Sequence, residues 1–139
     1  MSLDSFIGKW QEECKQGFDE FAASIGLASD KTTFYKCSKT VISYNKDGDE
    51  WIIDVGVADV PNGRQFRFKI GEPYDSANLD GTPMKSVITA KDGKFLETHK
   101  MAEMENEMQI ERQIQDSGKM LVTTEYKGNV MTSTYVRID

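Results

Sequence analysis

The chain has 139 residues, enough for one domain with a real core but not for two cores side by side. With 38% hydrophobic and 29% charged residues and only three prolines, it has the composition of a folded globular protein rather than a disordered or membrane-embedded one. A net charge of −6 and a pI near 4.9 argue against general nucleic-acid binding, which needs clustered Lys and Arg to neutralise phosphates.

The opening stretch from Met1 to Trp10 has neither the basic region nor the apolar run of a secretion signal. The longest apolar runs, such as Trp51-Ile52-Ile53, are far too short to span a bilayer, so the expected location is the cytoplasm. There Cys14 and Cys37 are expected to be reduced, mostly buried thiols with no assigned role.

Near the start, Phe18, Phe21, Ala22 and Ile25 recur at helical spacing and Gly26 follows as a stop, which predicts one short amphipathic helix. A second helix is expected after Ser29 or Asp30, running to about Cys37. From residue 39 onward the pattern changes to strands. Turn signals fall at Asn45-Lys46-Asp47-Gly48, Pro61-Asn62-Gly63, Lys91-Asp92-Gly93, Asp116-Ser117-Gly118 and Lys127-Gly128-Asn129, as an antiparallel meander requires. Between them side chains alternate with period two. Trp51, Ile53, Val55 and Val57 oppose Ile52, Asp54 and Gly56, while Phe66, Phe68 and Ile70 oppose Gln65, Arg67 and Lys69. Closing the meander into a barrel would remove its exposed edges.

One charge breaks the alternation. In the segment Met108 to Ile114, Met108, Ile110, Arg112 and Ile114 share a face, so an arginine lies on the apolar side. An unpaired guanidinium in the interior costs several kcal/mol, so Arg112 needs a carboxylate, from a ligand or from the protein, with Glu97 the first internal candidate. Asp47-Gly48-Asp49-Glu50 lacks the ligand spacing of a calcium loop and is read as a turn. No metal cluster, phosphate loop or nucleophile–base arrangement stands out, and a single histidine leaves few routes to acid–base catalysis, so no cofactor, no metal and no enzymatic activity are expected.

Phe6-Ile7-Gly8-Lys9-Trp10, the stretch Gly17 to Phe21 with Ile25-Gly26-Leu27, Phe68 to Asp75, and Asp80-Gly81 before Lys85 to Thr89 together resemble the intracellular lipid-binding protein family, fatty-acid-binding type, over nearly the whole chain. The resemblance implies a single domain over 1–139. Its fold would be a ten-stranded antiparallel up-and-down β-barrel of the lipocalin-like (calycin) class, with a helix-turn-helix lid at about 16–37 between the first two strands. It implies a monomeric cytosolic carrier that holds a long-chain fatty acid or similar hydrophobic carboxylate inside the barrel. Retinoid binding in the same fold, or a lipid-interacting barrel at a membrane surface, are the alternatives.

The same resemblance places Arg112, Tyr135 and Arg137 at the ligand carboxylate. In the last strand Tyr135-Val136-Arg137 reverses the family's order of arginine and tyrosine, unless the alignment slips in the preceding turn. Arg137 is close enough to the C-terminus to be a frayed surface residue instead. His99, Glu97 and Thr124 form the implied polar part of the pocket. Phe18, Trp51, Ile53 and Phe66, with Met108, Ile110, Val122 and Tyr126, form its implied apolar lining. Lys31, Lys36 and Lys39 in or beside the lid suggest a small basic patch for transient contact with anionic membranes, against the plainer reading of scattered solvated charges.

Overall fold

The computed structural model describes residues 3–24, 38–58, 60–77, 83–101 and 106–138. A 3-10 turn, Leu3–Phe6, leads into strand β1, Gly8–Gln16, and helix α1, Phe18–Ser24. Nine strands follow: β2 Thr40–Asp47, β3 Glu50–Val57, β4 Val60–Phe68, β5 Tyr74–Ala77, β6 Pro83–Lys91, β7 Lys94–Met101, β8 Met108–Ile114, β9 Met120–Tyr126 and β10 Asn129–Arg137. All pairings are antiparallel, in the order β4-β3-β2-β1-β10-β9-β8-β7-β6-β5, so the expected ten-stranded up-and-down barrel is present with β1 joining its two halves.

Closure is incomplete. β4 and β5 stand at the two ends of the order and share no hydrogen-bonded ladder, which leaves a gap in the wall. The sequence suggested that closure would remove every edge; the structure keeps two and blunts one by making β5 only four residues long.

The turns form where Gly, Asp and Lys accept positive φ. Asp92 and Gly93 have φ of 54° and 79°, and Lys127 and Gly128 have 52° and 81°, the pattern of two-residue hairpin loops. One expected turn is displaced. Pro61-Asn62-Gly63 lies inside β4, and the chain reverses between Val57 and Val60 instead. Proline is tolerated there because β4 is an edge strand and one side of its backbone lacks a ladder partner.

α1 follows Gly17, whose φ of +76° starts the reversal out of β1 and whose missing side chain matters: a Cβ there would sit 2.5 Å from the Val130 carbonyl oxygen. The helix buries Phe21 and Ala22, and Phe21 packs with Tyr126 and the half-buried Met101, Met108 and Met131 at one end of the barrel. Ile25, Gly26 and the expected second helix lie outside the described residues, as do Lys31, Lys36 and Cys37. Cys14 is exposed rather than buried: a register shift between Glu12 and Cys14 breaks the alternation that buries Trp10 and Glu12 and turns the thiol outward.

The inward faces meet in an aromatic core. Phe95 contacts Phe6, Tyr44, Trp51 and Phe68 with ring centroids 4.6 to 6.1 Å apart, and Trp10 donates its Nε1–H to the Phe6 carbonyl at 2.9 Å. Such ring pairs add to the burial free energy of each aromatic. Among the described residues no helix is long and apolar enough to cross a membrane.

Candidate functional site

The alternation of β8 points Arg112 inward, and its register against β7 places Phe95 directly opposite, with Glu97 opposite Ile110 one step along. The diagonal suits a long side chain. Arg112 donates its Nε–H to Glu97 Oε2 at 2.5 Å; the guanidinium side chain is 13% exposed and the carboxylate 4%. Of the two partners left open by the sequence, the internal one is in place.

The carboxylate has a second partner. His99 Nε2 lies 2.8 Å from Glu97 Oε1, and His99 Nδ1 lies 2.6 Å from Ser86 Oγ, which lies 2.6 Å from Ser76 Oγ. With Nε2–H donating to the carboxylate, Nδ1 accepts from Ser86 and Ser86 accepts from Ser76, and every hydroxyl rotor finds a role. The result is a buried polar row running Arg112, Glu97, His99, Ser86, Ser76 across four strands, β8 to β5.

Burial by itself would raise the Glu97 carboxyl, but the Arg112 charge and the His99 hydrogen bond outweigh it and hold the group down at about 2. Arg112 moves the opposite way. Burial disfavours its charge, and Glu97 more than restores it, so the guanidinium stays protonated. Three tyrosines surround the pair. Burial raises the hydroxyls of Tyr44 and Tyr74, and pushes Tyr135 up to about 12 with the help of buried Glu12, so all three are neutral donors at ordinary pH. Tyr44 Oη is buried and has no hydrogen-bond partner among the described residues.

Beside this row lies a cavity of about 170 Å³, walled by Ile42, Ile53, Val55, Phe66, Met84, Met108 and Ile110 and by the polar Glu97, His99 and Arg112. Arg64 and Phe66 on β4 face Tyr74, Ser76 and Ala77 on β5 around it, so the cavity lies against the gap in the wall. Its volume, about 170 Å³, is below the roughly 300–1,000 Å³ of ordinary small-molecule pockets, so a long chain must widen it, and the gap is the place where no ladder hydrogen bonds resist.

The expected residues divide accordingly. Glu97, His99, Arg112, Ile53, Phe66, Met108 and Ile110 come together on the cavity wall. Trp51, Val122 and Tyr135 belong to the packed core beside it, Thr124 is buried off the wall, and Tyr126 packs under α1 with Phe21. Phe18 is half-buried in a separate depression near Glu12 and Asp19, with Lys15 Nζ 5.5 Å from its ring centroid. Lys39, from the proposed basic patch, donates to the Glu13 carbonyl at 2.6 Å.

Arg137 is also off the cavity wall, on the surface side of the two readings open to it. It shares a strand face with Tyr135 but sits at the barrel end, where its guanidinium lies 4.2 Å from the Trp10 ring centroid and donates to the Ser5 and Ile7 carbonyls at 2.8 Å each. It therefore ties the N-terminal turn across the barrel base, away from the cavity. Arg137→Ala is expected to lower stability by about 1 kcal/mol in urea denaturation, while the affinity ratio between a fatty acid and its methyl ester stays unchanged. A fall in that ratio would put the guanidinium back at the ligand.

Sequence reading missed Arg64, although its parity with Phe66 and Phe68 was legible. It also missed Ser76, Ser86 and Tyr44, whose positions beside His99 and Arg112 depend on strand register.

No family model matches the chain. Its sequence is 32% identical over 92 residues to fatty acid-binding protein 5 of Pygoscelis papua, a match covering 66% of this chain and 67% of that protein. It is 25% identical over 136 residues to fatty acid-binding protein 9 of Mus musculus, covering 98% and 99% of the two. The fold superposes with a TM-score of 0.88, at 22% identity and over all of both chains, on a Schistosoma mansoni fatty acid binding protein in complex with arachidonic acid. The ten-stranded barrel agrees with that structure in fold and the chain agrees with these relatives in sequence, and the chain belongs to the fatty-acid-binding protein family.

Proposed function

We propose that this protein is a cytosolic carrier that reversibly takes a long-chain fatty acid into the barrel and does no chemistry on it. The observation that carries the reading is the cavity itself, apolar along most of its wall and bordered by Arg112, Glu97 and His99, in a chain whose relatives are named for fatty-acid binding. Each methylene moved from water onto that wall contributes roughly 0.8 kcal/mol, so a long tail supplies most of the affinity. Monomeric transport through the cytosol fits the acidic surface charge.

Ser86, His99 and Glu97 resemble a hydrolase triad in residue type, yet Ser86 is 1% exposed and does not line the cavity, which supports the carrier reading over a hydrolytic one. Incubating the purified protein with radiolabelled palmitate and with a labelled palmitoyl ester tests both halves of the reading. The acid is expected to bind and to be recovered intact, and the ester to be recovered unhydrolysed. Failure to retain palmitate would sink the carrier reading, and release of free acid from the ester would sink the claim of no chemistry.

A further inference from the structure

We propose that the methionines on which α1 is seated, Met101, Met108 and Met131, form a modification site: peroxide from solution converts their thioethers to sulfoxides, and the helix then loses its hold on the barrel. The carrier reading does not require this chemistry, and the chemistry does not depend on which ligand the barrel takes.

Strand alternation builds the seat. Met101 ends the inward row Phe95, Glu97, His99 of β7, Met108 stands opposite His99 at the start of β8, and Met131 shares a face of β10 with Ser133 and Tyr135. Together with buried Tyr126 of β9 they form the cluster that receives Phe21 of α1, separate from the main aromatic core. The helix packs on β9 and β10, and its approach is close: a Cβ at Gly17 would meet the Val130 carbonyl and, at 3.7 Å, the Met131 Cα. α1 has only seven residues and buries only Phe21 and Ala22. A helix of that length is not stable by itself in water, so its position depends on this cluster.

Beyond the two rings of Phe21 and Tyr126, the described cluster consists of methionine alone. Leucine would supply similar apolar volume; the thioether adds a favourable contact with aromatic rings and a sulfur that peroxide can oxidise. All three methionines are half-buried, and Met101 borders a surface depression of about 440 Å³ with Pro83, Met84, Lys85 and Lys100, which gives a small oxidant a way in from solvent. Met120, 0% exposed in the main core, has no such access. Hydrogen peroxide is the only co-reactant needed. The sulfur lone pair attacks one peroxide oxygen, the O–O bond breaks and a sulfur–oxygen bond forms. The proton on the transferred oxygen goes to the departing hydroxide, which leaves as water. Sulfur is oxidised by two electrons and the peroxide is reduced by two.

A sulfoxide is a polar hydrogen-bond acceptor where an apolar sulfur had packed. Kept in the cluster, its oxygen is buried against ring surface at a cost; turned toward water, it withdraws the side chain from Phe21. Both outcomes weaken the seat of α1. The effect stays local because the main core around Phe95 is a separate cluster.

The test treats the full chain carrying Cys14→Ser, which removes the exposed thiol, with graded hydrogen peroxide. Peptide mass mapping is expected to find sulfoxide at Met101, Met108 and Met131 at doses that leave Met120 about tenfold less oxidised or better. In that oxidised protein, hydrogen exchange of the peptide containing Phe18–Ser24 is expected to be about fivefold faster or more, with exchange in β2 and β3 unchanged. Methionine sulfoxide reductases of both stereospecificities are expected to restore the slow exchange. A variant with Met101→Leu, Met108→Leu and Met131→Leu is expected to exchange α1 at the same rate before and after peroxide. The reductase arm uses unsubstituted methionines, so it decides the matter even where the triple variant folds poorly. Met120 oxidising as readily as the other three, unchanged exchange of α1 after oxidation, acceleration that the reductases do not reverse, or acceleration that persists in a folded triple variant overturns the proposal.

Discussion

Arg112→Met is expected to lower the free energy of unfolding by about 3 to 5 kcal/mol, because it leaves the buried Glu97 carboxylate without its cationic partner. The His99 hydrogen bond remains but cannot replace the guanidinium charge. The partner change decides whether this is the cause. With Glu97→Gln added, neither member of the pair is charged. The new amide carbonyl can still accept from His99 Nε2, and the methionine side chain fills the space of the arginine stem, so most of the loss should be recovered. Urea denaturation of the two single variants and the double variant measures the coupling directly. A double variant no more stable than Arg112→Met would show that the arginine acts through packing or another partner rather than through Glu97.

The second large effect is acid lability. Glu97 has its folded-state carboxyl lowered from 4.5 to about 2, chiefly because the Arg112 charge and the His99 hydrogen bond overcome the cost of burial. The unfolded chain therefore takes up the proton first as pH falls. The stabilisation is fully present above about pH 4.5 and is lost progressively between there and about pH 2. At about 1.4 kcal/mol for each unit of difference, the loss from this one group is about 3 kcal/mol. Other acids titrate over the same range, so the comparison that isolates Glu97 is the wild type against the double variant lacking the pair. The wild type is expected to lose stability more steeply below pH 4.5. Parallel curves would mean that Glu97 ionises in the folded protein much as it does in the unfolded one.

These two expectations concern stability, because the three residues that the family resemblance grouped at the ligand carboxylate, Arg112, Tyr135 and Arg137, have different surroundings. Arg112 is tied to Glu97, Tyr135 is packed in the core, and Arg137 covers Trp10 at the barrel base. The reversed order of tyrosine and arginine in β10 has a structural consequence that period-two counting does not reveal. Both side chains leave the same face of the strand, but only Tyr135 has the barrel interior beneath it; two residues later the wall ends and Arg137 meets the carbonyls of the N-terminal turn.

Local chemistry was sufficient to determine that the chain is a strand, a short helix and a run of hairpins, because helical spacing at Phe18 to Ile25, period-two alternation and Gly- or Asp-containing turns act over a few residues. The same alternation determined that Arg112 faces an apolar interior and must find a carboxylate. Which carboxylate it finds was decided only by tertiary structure, since the β7–β8 register sets Glu97 on the diagonal from Arg112, and the β6–β7 register sets Ser86 opposite His99. A shift of one residue in either pairing would turn these side chains to the other face. The unpaired seam between β4 and β5, the displacement of the turn from Pro61-Asn62-Gly63 and the outward swing of Cys14 at the β1 bulge were likewise beyond local reading. Each depends on where the sheet's hydrogen-bond ladders begin and end, a property of strands distant in sequence that must fit around one barrel interior.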